Sequence, residues 1–284
     1  EVSHTMHMLN PSAFNPGYTG SRGTKSVLVH HRSQWVGLDG APTTTLINAQ
    51  GRVLNSLGIG LNVISDKIGV LDKTDFSIDL AAGIPLGNDN FISLGLKMSA
   101  NMLNIRYMDL PIYDLGDQAF DRNVQRGLTP NVGAGIFYYS NNGYFGISVP
   151  YIFQQDHFSD PNGPLMYGRD VAHYYATGAR MFEVSDQIIL KPAFMVQWVP
   201  GVDPRIDAGA DIIFNNRFSI GGAYRLNTSF MAMAGVQLND NFYLGYAHDF
   251  STTEIRSFQN GSHEIFLRFE LPEKAVKIFS PRFF

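Results

Sequence analysis

The sequence has no cysteine, so disulfides, thiolate chemistry, cysteine-rich zinc sites and a lipidated cysteine anchor are all excluded. Charge is also scarce. Asp, Glu, Lys and Arg make up 16% of the 284 residues, against roughly 25% in an ordinary soluble domain. Something other than water therefore covers much of the surface. Neither sign dominates: a formal charge of -4 and a pI near 6.0 leave no basic stripe, which argues against nucleic acid as a partner. The stretch beginning at Glu1 has no basic, apolar leader, as expected of a mature exported chain. The longest uncharged run, 127–155, is long enough for a helical span. The segment SNNG at 140–143 and many β-branched and aromatic residues interrupt it, so it reads as a hairpin.

What the chain does have is glycine (28), phenylalanine (21), tyrosine (13) and a recurring period of two. In TDFSIDLAAGI, Phe76, Ile78, Leu80 and Ala82 oppose Asp75, Ser77 and Asp79. In SLGLKMSANM, Leu94, Leu96 and Met98 oppose Ser93, Gly95 and Lys97. RIDAGADIIF and EIFLRFEL repeat the pattern near the C-terminus. Each strand has one oily face and one wet face. Fourteen strands are expected, near 24–36, 41–49, 56–65, 73–85, 91–104, 129–139, 144–152, 170–183, 187–199, 204–214, 217–226, 229–238, 241–250 and 262–271.

Every other connection is a tight polar turn, as at LGND, SNNG, VSDQ, NNR and LNDN. The intervening connections include long ones, 106–129, 153–169 and 251–261. An even number of strands about ten residues long, trimmed at one end and ornate at the other, predicts an all-β fold, a transmembrane antiparallel β-barrel. Closure also removes the exposed edges that such strands would present in lipid. A soluble β-sandwich would show the same alternation but calls for more outward charge than this chain carries. Aromatic residues such as Tyr138, Phe145, Tyr174, Tyr175, Trp198 and Phe250 fall towards strand ends, where interfacial belts form.

The barrel is expected over 24–271, with 1–23 as an N-terminal periplasmic or plug segment and 272–284 as a periplasmic tail. Charges of both signs line the predicted wet faces, among them Asp75, Asp79, Lys97, Arg180, Lys191, Asp207, Asp211, Arg225, Asp249, Glu264, Arg268 and Glu270. Mixed signs favour mutual pairing over an ion-selective ring.

Four polar or aromatic residues, His30, His31, Arg32 and Trp35, share the first strand. Adjacent histidines on a strand point to opposite faces, so His30 and His31 do not grip one metal. His30, Arg32 and Gln34 are read as lumen residues bonded to acidic strand residues. His4 and His7 lack further ligands, and His248 and Asp249 fall on opposite faces with no nucleophile motif beside them. A rim enzyme and a general porin remain alternative functions at this point. No catalytic residue, metal or other cofactor is assigned.

Several motifs together resemble the PorP/SprF outer-membrane proteins of the type IX secretion system and of gliding motility. MLNPSAFNPGYTGSRG carries the opening pattern through Asn10, Pro11, Asn15, Pro16, Gly17, Tyr18 and Gly20, with Gly17 where the family often has alanine. HHRSQWVGLDGAPTT carries the strongest signature through Arg32, Ser33, Gln34, Trp35, Gly40, Ala41 and Pro42. NGSHEIFLRFEL and the tail with Pro281, Arg282 and Phe283 resemble the family's close.

The resemblance implies a non-enzymatic outer-membrane barrel serving type IX export, with protein partners. One kind of member associates with periplasmic ring and envelope-anchoring components. Another assists secreted surface adhesins by holding their C-terminal sorting domains, and it is preferred because its paralogues are many. The loop with Asp109, Asp114, Asp117, Asp121, Arg122 and Arg126 is the candidate partner-binding surface. Arg32 and Gln34 are expected to bond inward to the N-terminal segment, with Trp35 near the outer interface.

Overall fold

The structure, a computed structural model, describes residues 10–109, 123–154 and 171–271. The strands are β1 (Lys25–Ser33), β2 (Thr43–Leu54), β3 (Leu57–Ile68), β4 (Leu71–Gly87), β5 (Asn90–Ile105), β6 (Val124–Ser140), β7 (Gly143–Val149), β8 (Tyr174–Arg180), β9 (Phe182–Ser185), β10 (Ile188–Trp198), β11 (Arg205–Phe214), β12 (Phe218–Arg225), β13 (Ser229–Gln237), β14 (Phe242–Ser251) and β15 (Ser262–Leu271). β8 and β9 are one wall strand broken at Met181, and both pair with β10. The wall therefore counts 14 strands, all antiparallel. β15 pairs with β1 and β10 with β11, which closes the sheet on itself. Closure pairs the backbone polar groups that lipid cannot solvate.

The period of two becomes an inside-out pattern. On β5, Leu94, Leu96 and Met98 are 48%, 61% and 49% exposed, while Ser93, Lys97 and Asn101 between and beyond them are buried in the interior. Water would not favour such an outer face; hydrocarbon does. Tyr138, Phe145, Tyr174, Phe182, Trp198, Phe218 and Phe250 face outward. Tyr144, Tyr175 and Tyr243, which also fall near strand ends, instead turn inward and pack inside the barrel.

Short turns link β2 to β3, β4 to β5, β6 to β7, β9 to β10, β11 to β12 and β13 to β14, all at one end. Asn88, Asp89, Asn215 and Asn216 take positive φ of 52, 58, 50 and 51° there, the geometry that two-residue hairpins need. β1 starts and β15 ends at this same short-turn end. Strand placement follows the sequence pattern closely, with several ends moved by three to five residues: β2 runs on to Leu54, β3 to Ile68, and β8 begins only at Tyr174. β1 stops at Ser33 because Trp35 adopts φ 48° and starts a turn. β6 begins at Val124, and β7 ends early at Val149.

Candidate functional site

The interior is occupied by the chain's own start. Residues 10–23 fold into two single 3-10 turns, Pro11–Ala13 and Pro16–Tyr18, each begun by an Asn-Pro pair. Proline supplies the fixed φ of a first helical position; Asn15 caps its turn with its side chain, whereas the Asn10 side chain accepts from the Ser12 hydroxyl instead. The Asn15 side chain accepts from Gly17 N–H at 2.9 Å. Its amide donates to the backbone oxygens of Ile136 at 3.2 Å and Ile147 at 3.5 Å, which ties the turn to β6 and β7.

The wall makes room for this turn with glycines that face inward. A Cβ at Gly95 on β5 would lie 2.1 Å from Gly17 N and 2.3 Å from Pro16 C. At Gly135 on β6 it would meet Asn15 Oδ1 at 2.2 Å, at Gly146 on β7 Asn15 Nδ2 at 2.6 Å, and at Gly58 on β3 the Thr19 carbonyl oxygen at 2.3 Å. Segment backbone packs on the sheet at Gly58 and Gly95, and the Asn15 side chain at Gly135 and Gly146, so a side chain at any of the four would displace it. Tyr18 is 1% exposed and meets Phe137 edge-on at 5.4 Å. Burial pushes its hydroxyl above the ordinary tyrosine range, opposed by the charges of Arg22 and Arg268. Gly20 N–H donates to Gln50 Oε1 at 3.2 Å, and Arg22 Nε to Glu270 Oε1 at 2.7 Å.

The opposite wall is charged and paired. Arg32 on β1 donates through Nη1 to Glu264 and through Nη2 to Asp249 at 2.9 Å. His30 lies 3.0 Å from the same Glu264. Arg225 Nη1 stands 3.7 Å from Asp249 and its Nε 3.0 Å from Asp207, which also takes Arg205 at 3.1 Å. Two further pairs lie elsewhere on the wall, Lys97 with Asp79 at 3.2 Å across β5 and β4, and Lys191 with Asp211 at 3.1 Å across β10 and β11. Bidentate arginine contacts of this kind fix geometry as well as charge. The charges of these pairs are thus satisfied against each other, while Asp75 on the same inner face stands outside them.

Asn15, Pro16, Gly17, Tyr18 and Gly20 lie together in the glycine cradle. Residues 1–9 of the N-terminal segment, to which an inward bond is expected, lie outside the described residues, and the described partners of Arg32 are on β14 and β15. The reason is register: Arg32 stands directly opposite Glu264. Gln34 lies past the end of β1, where its backbone N–H donates to Pro42 O at 2.9 Å. Trp35 N–H donates to Ser262 Oγ at 3.1 Å, and Gly40, at φ 72°, sits 3.3 Å from Gly69 Cα through a would-be Cβ. These signature residues close the β1–β2 turn.

Arg180 faces outward, over the Phe182 ring at 5.4 Å, because Tyr175, Thr177 and Ala179 hold the inward phase of β8. Asp109 is exposed beside Arg106, and Arg126 falls in β6 opposite Leu103. Asp114, Asp117, Asp121, Arg122, Pro281, Arg282, Phe283, His4 and His7 lie outside the described residues. Sequence reasoning missed Gly58, Gly95, Gly135 and Gly146. Their signal was present: each sits at an inward phase where the neighbouring inward positions carry polar or aromatic side chains.

A closed antiparallel barrel, apolar outside, paired and filled inside, defines an integral outer-membrane barrel protein. The chain belongs to the PorP/SprF family: the model for the type IX secretion system membrane protein PorP/SprF matches residues 1–269. No curated protein matches the chain in sequence. Among solved structures, the CymD monoaromatic hydrocarbon channel is similar over 95% of this chain and 94% of its own, at 10% identity and a TM-score of 0.54. Omp33 of Acinetobacter baumannii covers 88% of this chain with all of its own length, at 9% identity and a TM-score of 0.48. The likeness to CymD is one of fold.

Proposed function

We propose that this protein is a non-enzymatic, closed barrel of the type IX secretion system that helps export a partner adhesin or anchors it at the cell surface through its C-terminal sorting domain. The observation that carries this reading is the filled interior. An outer-membrane barrel whose lumen holds its own segment on a glycine cradle, with arginines and lysines of the wall paired to its carboxylates, is built to hold and not to conduct. Family membership supplies the context of protein export. The long connections 106–123 and 150–173, at the end opposite the short turns, offer the outer docking surface, with the short turns on the periplasmic side as in barrels generally.

A second reading, a barrel linking periplasmic ring and envelope-anchoring components, draws on one feature. β1 begins and β15 ends at the short-turn end, so segments 1–24 and 272–284 join the barrel there, and the periplasm is where ring proteins would meet them. A general porin finds no support in a filled lumen.

The test is gentle solubilisation from native membranes followed by mass spectrometry of what co-purifies. One large secreted adhesin is the expected result, and excision of 110–122 should reduce its recovery. Ring-forming periplasmic proteins would move the assignment to the second reading, and recovery of nothing, with a conducting channel, would overturn both.

A further inference from the structure

Above the cradle, towards the long-loop end, the interior keeps a cavity of about 140 Å³. Its floor is Ala13 and Phe14 of the N-terminal segment, with the Phe14 ring stacked on Tyr175 at 5.3 Å. Ile64 and Met195 add apolar wall. Asp75 of β4 enters between Ile64 and Asn101, its register neighbours on β3 and β5.

Asp75 is 5% exposed, and neither of its carboxylate oxygens has a hydrogen-bond partner in bonding geometry. Buried carboxylates are ordinarily bonded, because desolvating them without compensation is costly. Arg205, Asp66 and His173, also around the cavity, have other partners. Arg205 contacts Asp207 at 3.1 Å, Asp66 accepts from Thr44 at 2.6 Å, and His173 meets Gln197 at 2.7 Å. Lys97, two same-face positions along from Asn101, is bonded to Asp79. Lys97 and Lys73 act on Asp75 through their charge, and the Tyr151 hydroxyl stands beside it as a donor just outside full bonding geometry.

Resting on the docking role proposed above, we infer that this cavity is a socket for an arginine or lysine side chain of the partner polypeptide, with Asp75 as counter-ion for its cationic head. The chemistry fits both parts of such a side chain. An aliphatic stem needs apolar wall, which Phe14, Ile64 and Met195 supply. The head needs a desolvated carboxylate acceptor at the end of that wall. The rim residues Asp66, Lys73, His173 and Arg205 stand at the long-loop ends of their strands, so entry is from the side that faces a secreted chain. The floor being part of the N-terminal segment also couples the socket to the cradle: the segment must be seated for the socket to exist.

The experiment is saturation-transfer NMR on the intact detergent-solubilised protein with N-acetyl-arginine amide, and with N-acetyl-citrulline amide as the neutral isostere. The arginine compound should give saturable signals from its side-chain methylenes and the citrulline compound none. Asp75→Asn, checked for unchanged melting, should weaken binding about tenfold or more, the loss expected for a charge-assisted bond. Asp75→Glu should retain it. Equal binding of citrulline, undiminished binding to Asp75→Asn, or binding of spermidine without binding of the arginine amide would overturn the socket. The two proposals fail separately. Silence with the amide in a protein that still recovers its adhesin sinks the socket alone, whereas amide binding in a protein that recovers no secreted partner sinks the docking role and leaves the socket.

Discussion

Strands β3 to β7 carry the inward glycines that seat residues 10–23, beside the Lys97–Asp79 pair, whereas β11 to β15 and β1 carry the linked network of arginines and carboxylates. The first wall works by subtraction: side chains are absent at Gly58 and Gly95, where backbone of the N-terminal segment touches the sheet, and at Gly135 and Gly146, where the Asn15 side chain does. The second works by addition, filling space with long charged side chains that neutralise one another from strand to strand. The glycine wall holds a guest, and the charged wall holds the barrel. Substitutions in the two walls should therefore have separable consequences.

The largest effect is expected at Arg32. Arg32→Ala leaves Glu264 and Asp249 buried without their shared cation, a change that typically costs about 3–5 kcal/mol. Thermal or urea unfolding of the barrel should register that loss, while residues 10–23 stay resistant to protease in the folded fraction. Arg32→Lys should recover only part of it, because a point charge does not bridge two carboxylates as a guanidinium fork does. Release of the segment by Arg32→Ala without loss of barrel stability would merge the two walls into one system.

Next comes Gly95→Ala, whose added methyl collides with backbone atoms of Pro16 and Gly17 that have no side-chain freedom to yield. Overpacking of this kind costs about 1–3 kcal/mol. The cost falls on seating the guest, so limited proteolysis within 10–23 should rise while barrel melting shifts little. At Gly17 itself a Cβ would lie 3.0 Å from Phe137 Cβ, a milder clash, so Gly17→Ala should release the segment less than Gly95→Ala does. The reverse order would misplace the cradle.

The smallest effect belongs to His31, on the outer face of the same strand as Arg32. It bonds Thr45 Oγ1 at 2.9 Å and is exposed. His31→Ala should change unfolding by no more than about 0.5 kcal/mol. A loss comparable to that of Arg32→Ala would show that the outward half of the signature does structural work that alternation alone does not reveal.

The barrel was legible because alternation is a local property. Phe76 against Asp75, or Leu96 against Lys97, states which face meets lipid without reference to any other strand. The pairing of wall charges was legible in kind, since both signs share one face, but not in partner, because register decides that Arg32 meets Glu264 across the closing seam. The cradle was hidden for another reason. Gly95 reads as one more wet-face residue until β5, β6 and β7 are aligned and residues 15–19 are laid across them. The positive φ of Trp35 was hidden too, because a bulky residue gives no local hint of that conformation.

The claim that joins both walls is that the lumen is closed by the chain's own N-terminal segment. Single-channel recording of the purified protein in planar bilayers tests it most directly, with Gly95→Ala and a variant lacking residues 1–23 alongside. The intact protein should be electrically silent, the truncated one should conduct, and Gly95→Ala should flicker between the two. Steady open-channel current from the intact protein, equal to that of the truncated variant, would contradict the account.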